Sequence, residues 1–483
     1  MVYLTTKDLL KMRRNMSVPF YMRIKKNISE EPLEIRRVLR VIPGKRLTAL
    51  CLWRKKEVVV KLFFHPMRRG KNQSRDLLGV SLLLERGLPT PLILGNTVTA
   101  DRKAVLTIME YLKDGSTLNC INRETKNNKD TYLLIEKAVL SIGECHKKGV
   151  WQPDIHLENF YFHKNEIYIL DGGDVKSVVG PLDDSRALTN LALFFAQFDI
   201  DFDINISSLL NKYEDKTRPI SESARNTFLL KVKTARVERL EKFGRKVFRS
   251  TTSNRKIKAS NSFAVCDRKL QENDFRNFLR CADKYIDDGV VLKAGNSSTV
   301  AEVTLNNNDY VLKRYNLKSG WHSIKYFFKT TRASKSWRNA HFLNMMGIST
   351  PQPYLFYEER IMWLFRRRAF FLSENIKEPN LFDYMNSCSL EHAEIKMITD
   401  AFKRLFAIMI YYEISHGDMK ATNFIFHENK LIVLDLDSMI RHHSQYFFKK
   451  AIRRDLDRFL KNWTGGKYES DFERLVASVE IPV

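Results

Sequence analysis

The most informative motif in the second half of the chain is SHGDMKATNFIFHENKLIVLDLDS, at residues 415–438. Asp418 lies in a glycine-containing loop, and Asn423 follows five residues later. Two β-prone runs separated by the polar residues HENK come next and indicate a hairpin. The second run ends directly at Asp435, so the hairpin returns this carboxylate toward Asn423. The stretch therefore predicts a compact unit that gathers two carboxylates and one amide in one place.

The same arrangement occurs earlier, in WQPDIHLENFYFHKNEIYILDGGD at residues 151–174. Its three matching residues precede those of the later stretch by 264 positions (418 − 154), and they are Asp154, Asn159 and Asp171. A strand lysine, a glycine before it and a glutamate after it also recur upstream, as Lys61 and Lys313, Gly44 and Gly295, and Glu110 and Glu374. The period is far longer than that of a solenoid repeat. We therefore interpret it as the duplication of a whole domain.

The coarse secondary structure agrees with this duplication. Runs rich in β-branched residues predict strands at 57–64 and 309–315, each carrying one of the two lysines. Helical periodicity predicts helices at 75–86 and 335–346, and each is followed by a glycine, a typical helix-stop residue. Each copy is thus expected to be α+β.

A basic segment separates the two copies. Residues 235–262 hold nine Lys or Arg with few apolar residues near the end, which indicates a basic linker or an exposed helix. A solvated charged face without a partner is as good an interpretation as a functional basic patch. We predict a first domain at 1–234, the basic linker at 235–262 and a second domain at 263–483.

These residue types suit phosphoryl transfer, which requires bound donor phosphates, Mg²⁺ to neutralise their charge and an aligned acceptor hydroxyl. A strand lysine holds the phosphates, a loop Asp orients the acceptor and receives its proton, and Asn and Asp oxygens hold the hard cation together with ATP. The turn in KAGNSSTVAEV, at 293–303, would cover the phosphates with backbone NH groups. We predict Asp418 and Asp154 as catalytic, Lys313, Lys61, Gly295, Ser297, Ser298, Gly44, Glu374 and Glu110 as ATP-binding, and Asn423, Asp435, Asn159 and Asp171 as magnesium ligands.

Composition narrows the setting in which this chemistry takes place. The 81 Lys and Arg exceed the 56 Asp and Glu, which gives a net charge of +25. Such a surface attracts nucleic acid, acidic phospholipid or a phosphorylated glycolipid, and charge alone does not choose among them. The six cysteines form no CxxC pair, as expected for reduced thiols in the cytoplasm. No apolar run is long enough to span a bilayer, and we expect a cytoplasmic protein.

At these motifs the chain resembles the lipopolysaccharide core kinases, a bacterial family that phosphorylates Kdo or heptose sugars. The second half is similar through SSTVAEV, YVLKRYN, HGDMKATNFIF, LIVLDLDS and RRDLDRFLKNW, and the first through PGKRLTA, VVVKLFF, ERGLPTP, DIHLENF and YILDGGD. The resemblance implies two tandem protein-kinase-like domains that use ATP and Mg²⁺, each with a small β-rich lobe before a larger helical lobe. It also implies an acceptor sugar on lipid A-core at the cytoplasmic face of the inner membrane, with the protein peripheral to that anionic surface.

The two copies depart from the family pattern in complementary ways. Gln152 stands where the second copy has His416, although His156 gives a D-x-H-x-x-N pattern seen in related kinases. The helix acid that pairs with the strand lysine aligns with Asp76 in the first copy and with Ser336 in the second. Asp76 is equally well interpreted as a solvated helix carboxylate. Lys313 therefore either finds another partner or aligns ATP less tightly.

Three alternatives remain open at this point. The chain fits a protein kinase or another small-molecule kinase built on the same core. One or both copies also fit a pseudokinase scaffold that binds an anionic membrane or an envelope-assembly partner. A nucleic-acid binder is disfavoured, since basic residues alternate with aromatics only in the linker, around Phe243 and Phe248.

Overall fold

The computed structural model describes residues 2–26, 29–124, 129–316, 330–362, 365–387 and 390–481. The chain forms two compact units, Met1–Ala235 and Arg236–Val483. Each unit contains one large antiparallel sheet followed by a mainly helical part. The predicted α+β class is therefore confirmed. No helix among the described residues is long and apolar enough to cross a membrane.

The first unit contains a six-stranded antiparallel sheet. Its strands are β1 (Phe20–Lys26), β2 (Ser29–Ile42), β3 (Arg46–Trp53), β4 (Lys56–Phe63), β5 (Ile93–Val98) and β6 (Val105–Glu110). They lie in the order β1-β2-β3-β4-β6-β5. Alternate residues of β4, Val58, Val60 and Leu62, are buried in the core of the sheet, as the period of two along a strand requires.

The helical part of the first unit surrounds several short strands. The helices of the unit are α1 (Thr6–Met12), α2 (Arg69–Glu85), α3 (Leu118–Glu124), α4 (Lys129–Lys147), α5 (Asp184–Phe195), α6 (Ile206–Lys216) and α7 (Glu222–Lys246), the last of which contains the boundary between the units. The short strands are β7 (Ser116–Thr117), β8 (Val150–Trp151), β9 (Phe160–His163), β10 (Glu166–Ile169) and β11 (Lys176–Ser177). A buried aromatic cluster, in which Phe194 contacts Phe160 and Phe198 edge-on at 5.5 Å, fills the core of this part.

The second unit contains a seven-stranded antiparallel sheet in the order β12-β13-β17-β18-β16-β15-β14. These strands are β12 (Asn254–Ala259), β13 (Ser262–Asp267), β14 (Val290–Ala294), β15 (Ser298–Leu305), β16 (Asn308–Tyr315), β17 (Pro353–Ile361) and β18 (Phe365–Glu374). The unit also has four short strands, β19 (Ile414–Ser415), β20 (Phe424–His427), β21 (Lys430–Val433) and β22 (Ile440–Arg441).

The described helices of the second unit pack around phenylalanines. They are α8 (Glu272–Arg280), α9 (Ala282–Asp287), α10 (Arg332–Met345), α11 (Leu381–Ser387), α12 (His392–Tyr412), α13 (Gln445–Leu460) and α14 (Glu469–Ala477). Phe402 of α12 lies 4.6 Å from Phe459 of α13 and 5.1 Å from Phe424 of β20 (ring centroids). This packing joins the two long helices to the hairpin that carries the predicted site.

The sequence-predicted elements are found close to their expected positions. The two lysine strands are β4 and β16, and the two helices are α2 and α10, both of which begin earlier than predicted. The two predicted hairpins are β9–β10 and β20–β21, each antiparallel.

The segment predicted as a basic linker or an exposed helix is folded over much of its length. Residues up to Lys246 continue α7, and residues 254–259 form β12, which pairs with β13 in the large sheet of the second unit. Arg236, Leu240 and Val247 are buried. The sequence did not reveal this structure, because charged residues are frequent in the segment and its buried apolar residues are few and lie far apart.

Candidate functional site

The lysine of β16 is held by two carboxylates. Lys313 Nζ lies 2.6 Å from Asp435 Oδ1 and 3.2 Å from Asp437 Oδ2. Asp437 is buried, and its Oδ2 also lies 2.8 Å from Nη2 of Arg332, the first residue of α10. Lys313 thus has a second anchor, Asp437, which the sequence-based site did not include.

Burial and charge oppose each other at this lysine. Burial alone would lower the pKa of Lys313, but its neighbours, Asp435 and Asp437 among them, raise it above its ordinary value. Burial alone would raise the pKa of Asp435, and Lys313 outweighs that effect and lowers it. The pair is therefore ionised at neutral pH, ready to bind phosphate oxygens and a cation.

The position of Asp435 follows from the hairpin and from helix α10. The Leu434 NH donates to the Asn423 carbonyl at 2.8 Å, so the residue before Asp435 returns to the end of the loop. Asp435 itself has a positive φ of 49°, a strained backbone conformation that often marks functional positions. Behind it, the buried Asn339 side chain donates to the carbonyls of Leu436 and Met439 at 2.8 and 3.0 Å.

The loop before Asp418 is anchored by the side chain of Asp455 in α13. This buried carboxylate accepts hydrogen bonds from the NH groups of His416, at 2.6 Å, and Gly417, at 3.0 Å. His416 Nε2 lies 3.0 Å from the Leu434 carbonyl, and the Asp418 NH lies 3.3 Å from His416 Nδ1. Both contacts form when His416 donates from Nε2 and accepts at Nδ1, which links the loop to the hairpin.

Asp418 is a partly exposed carboxylate beside two cations. Its Oδ2 lies 3.1 Å from Lys420 Nζ, and its Oδ1 lies 3.9 Å from Arg458 Nε. The Asn423 side-chain NH₂ donates to the Asp418 carbonyl at 2.9 Å, which fixes the orientation of the amide. Asp418 and Asn423 are therefore brought together as predicted.

The glycine turn lies between β14 and β15. Gly295 stands three residues before the start of β15, which pairs with the lysine strand. The Gly295 NH donates to the Ser298 carbonyl at 3.1 Å, and the Asn316 NH donates to the Ser297 carbonyl at 3.2 Å. Asn316 also donates from its side chain to the Gly295 carbonyl. The turn is thus tied to the end of β16, while Ser298 is buried at the start of β15.

The two predicted glutamates lie at the ends of strands. Glu374 accepts from the Gln352 NH at 3.0 Å, and Glu110 accepts from the Leu92 NH at 3.3 Å. Both side chains therefore cap a neighbouring strand. Their ATP-binding role stays a prediction.

In the first unit, the strand lysine pairs with the helix acid. Lys61 Nζ lies 2.8 and 3.0 Å from the two oxygens of Asp76 in α2, and 3.9 Å from Asp171 Oδ1. Asp76 is buried, so its interpretation as a solvated carboxylate is wrong. Arg46, in β3 just after the Gly44 turn (φ 72°), lies 3.6 Å from Asp171. Burial alone would raise the pKa of Asp171, but Lys61 and Arg46 lower it to about 2.

In the first unit, Gln152 stands at the position of the loop histidine and makes a similar hydrogen bond. Its Nε2 donates to the carbonyls of Leu170 and Asp171 at 3.1 and 3.0 Å, as His416 does to Leu434 in the other unit. Its Oε1 accepts from the Asn159 side chain at 3.3 Å, and its carbonyl accepts from Asn190. Asp154 is exposed, and its Oδ1 lies 3.2 Å from His156 Nε2.

The donor atoms of these residues are of the type that Mg²⁺ binds. Asn423 and Asn159 each use their NH₂ group in a hydrogen bond, which leaves the amide oxygen for a cation. Asp435 and Asp171 are each about one-third exposed, with side-chain values of 33% and 30%. One amide oxygen and one carboxylate suit Mg²⁺, which takes its other ligands from water and phosphate. The described residues contain no cluster of three or more His, Cys, Asp or Glu that could hold a metal alone.

Sequence reasoning missed several supporting residues. Asp437, Arg332, Asp455 and Arg46 hold the predicted groups in place but were not predicted. The pattern LDLDS contained the signal for Asp437, since it places a second acid two residues after Asp435. Asp455 lies within RRDLDRFLKNW, one of the runs that carry the resemblance, but that run is crowded with charges and does not single this residue out.

The second unit is thus an α+β domain in which a lysine, paired acids and a carboxylate loop form a candidate site, with residue types that suit phosphate and a cation. Residues 288–478 match the model of the Lipopolysaccharide kinase (Kdo/WaaP) family, so the chain carries one domain of this kind. A solved structure of WaaP in complex with acyl carrier protein is 20% identical over 41% of this chain and 87% of that chain, with a TM-score of 0.32. No curated protein matches the chain.

Proposed function

We propose that the second unit is an ATP-dependent phosphotransferase that phosphorylates a sugar hydroxyl, of Kdo or heptose, on lipopolysaccharide core. The observation that carries the proposal is the grouping of Lys313 with Asp435 and of Asp418 with Asn423, inside the range that matches the family. Family membership supports kinase activity in general. The sugar acceptor is the finer part of the proposal.

Each residue has a physical task in this reaction. Lys313, held by Asp437, binds phosphate oxygens of ATP, and Asn423 and Asp435 hold Mg²⁺, which neutralises charge on the phosphates. Asp418 accepts a hydrogen bond from the acceptor hydroxyl and receives its proton late in the transfer. Lys420 and Arg458, beside Asp418, attract an acceptor that itself carries negative charge.

In the second unit, Asp437 supplies the lysine-anchoring carboxylate that the helix position lacks. Ser336, at the aligned helix position, is buried, and its hydroxyl lies 2.9 Å from the Tyr315 hydroxyl instead of contacting the lysine. Asp437 takes the anchoring role from the other side and is itself fixed by Arg332. A missing helix acid is therefore compatible with catalysis.

We infer that the first unit is a second kinase-like domain that binds nucleotide. The Lys61–Asp76 pair, the nearby Asp171 and the β9–β10 hairpin support this inference. Asn190 donates to the loop where Asp455 accepts in the second unit, so the loop is held by a different kind of bond. Asp154 is the residue that tests whether the first unit also transfers phosphate.

We propose further that the protein works against the anionic inner-membrane surface and docks there through helix α13. Tyr446 and Phe447, which are 70% and 62% exposed, begin the helix, and Lys450, Arg453 and Arg454 follow on its exposed side. Exposed aromatics with basic residues suit the interface of an anionic bilayer, where each cation contributes about 1 kcal/mol. The same helix carries Arg458, 3.9 Å from Asp418, so docking brings a lipid-borne sugar toward the proposed acceptor site.

The test is phosphate transfer from labelled ATP to lipopolysaccharide that lacks core phosphate, with purified chain and Mg²⁺. We expect Asp418→Asn to lower the rate by about 10²–10⁴-fold while ATP binding is retained. Asp457→Asn, an exposed acid of the same α13, is the control and should keep the activity. A full rate in Asp418→Asn together with a lost rate in Asp154→Asn would move catalysis to the first unit. Absence of Mg²⁺-dependent ATP binding would instead favour a pseudokinase scaffold.

A further inference from the structure

A basic groove lies in the second unit, away from the residues that bind the donor in our proposal. It runs between the last turns of α7, helix α10 and residues 439–443, and its open volume is about 560 Å³. This size falls within the range of small-molecule binding sites. Four arginines and a histidine line it: Arg245, Arg249, Arg338, Arg441 and His443. Among the described residues of the lining, Glu241 is the one acid.

The arginines of this groove are poorly compensated. Glu241 pairs with Nη1 of Arg441, but Arg441 Nε is buried and has no hydrogen-bond partner among the described residues. Arg338 Nε is likewise buried without a partner there, and its guanidinium lies 5.7 Å from the centre of the Phe342 ring. Arg245 and Arg249 are exposed and make no ion pair within the part of the chain that the structure describes.

An unpaired buried guanidinium NH costs free energy, because it has given up water without gaining an acceptor. A phosphate group offers several acceptor oxygens and negative charge, and its geometry matches the planar fork of arginine. Four arginines against one glutamate leave a strong positive field in a concave site. A ligand with phosphate would satisfy the groups that the protein leaves open.

We propose that this groove is a binding site for a phosphate-bearing anionic ligand. The site does not depend on the function proposed above, since none of its lining cations contacts Lys313, Asp418 or Asp435.

Occupation of the groove has a route to the candidate active site. Arg338 and Asn339 are neighbours in α10, and Asn339 holds the carbonyls of Leu436 and Met439, which follow Asp435. Arg441 lies at the end of the same segment, in β22. A phosphate that contacts both arginines joins α10 to residues 436–441. It therefore stabilises the arrangement in which Arg332 and Lys313 meet Asp437.

The test uses pyrophosphate as the probe and the full chain, by calorimetry. We expect the Arg245→Gln/Arg249→Gln double variant and Arg338→Gln to bind about tenfold or more weakly, as the loss of a charged hydrogen bond predicts. Arg245 and Arg249 are exposed, so their replacement leaves the fold intact even if Arg338→Gln does not. Arg367→Gln, an exposed arginine of β18, is the matched control and should bind like wild type. Lys313→Met should also bind, which separates the groove from the nucleotide site.

Amide hydrogen exchange tests whether occupation of the groove stabilises the segment that follows Asp435. Pyrophosphate should slow amide hydrogen exchange at residues 436–443 in the wild-type chain but not in the double variant. Equal pyrophosphate binding by all variants, or no saturable binding at all, would overturn the proposal.

Vesicles distinguish the sources of the phosphate. Phosphatidylcholine vesicles with and without phosphatidylglycerol are compared by co-sedimentation. Loss of both pyrophosphate and phosphatidylglycerol binding in the double variant would assign the groove to a lipid headgroup. Loss of pyrophosphate binding alone would assign it to a soluble phosphate ligand.

Discussion

Lys313 donates to the buried carboxylate of Asp437 at 3.2 Å, although Asp437 comes from the segment after the hairpin and not from the helix beside the lysine strand. In the first unit, Lys61 meets an acid from the helix, Asp76, at 2.8 Å. The two units thus anchor the equivalent strand lysine from different elements. In both, the acid is buried and the lysine also lies within 4 Å of the strand-end Asp.

Removing the second anchor should weaken both the fold and nucleotide binding. In Asp437→Asn, Arg332 loses its partner and Lys313 keeps only Asp435, and removing one member of a buried ion pair costs about 3 kcal/mol. Urea denaturation measures the free energy of unfolding, and calorimetry measures ATP–Mg²⁺ affinity, which should fall. Asp309→Asn, which removes an exposed pair with Lys377, is the control and should change neither quantity appreciably. Unchanged ATP affinity in Asp437→Asn would contradict the anchoring role.

Asp455 should affect the chemical step more than nucleotide binding. Its carboxylate accepts from the NH groups of His416 and Gly417, and Asn has only one acceptor oxygen for these donors. We expect Asp455→Asn to lower kcat for phosphate transfer by about tenfold or more, with little change in KM for ATP. Steady-state kinetics beside Asp457→Asn provide the comparison. An equal rise in KM without a change in kcat would show that Asp455 acts elsewhere.

Two glycines of α2 should respond oppositely to the same substitution. A Cβ on Gly79 would lie 1.8 Å from the Gly172 carbonyl oxygen, in the segment directly after Asp171. A Cβ on Gly70 would meet nothing within 4 Å. Gly79→Ala should therefore destabilise the chain by about 3 kcal/mol, and Gly70→Ala should stabilise it by up to about 1 kcal/mol through helix propensity. Thermal unfolding of the two variants measures the contrast, and similar midpoints would refute the close packing of α2.

Acid should weaken the first unit through His146. Burial lowers the pKa of this histidine to about 4, and its ring nitrogens contact Tyr213 and Asn190. The unfolded chain takes up the proton first as pH falls below 6.5, so stability is lost progressively from there down to about 4. This amounts to about 2 kcal/mol between pH 7 and pH 5.

The variant His146→Gln isolates this effect. It should be less stable at neutral pH but should show a smaller loss of stability between pH 7 and pH 5, by urea denaturation. Lys147→Gln, the next residue of α4, serves as the control. The same pH dependence in all three proteins would assign the titration to another group.

Much of the candidate site was predictable because its residues lie close together in sequence. The hairpins β9–β10 and β20–β21 are local structures, fixed by β-prone runs around a polar turn. They place each Asp after the second strand and return it to the Asn of the loop. The two lysine strands and the two helices were predictable for the same reason, because each depends on a pattern within a short stretch of sequence.

The duplicated pattern, the α+β class and the identity of the groups available for chemistry follow from the amino-acid sequence alone. The acid that anchors each lysine is known only from the three-dimensional packing, because Asp76 and Asp437 reach their partners across 15 and 124 positions of the chain. The same holds for Asp455 beneath the loop and for the arginine groove, which gather residues from separate helices and strands. Their contacts depend on how helices pack against a sheet, and burial then turns ordinary surface charges into strong, specific partners.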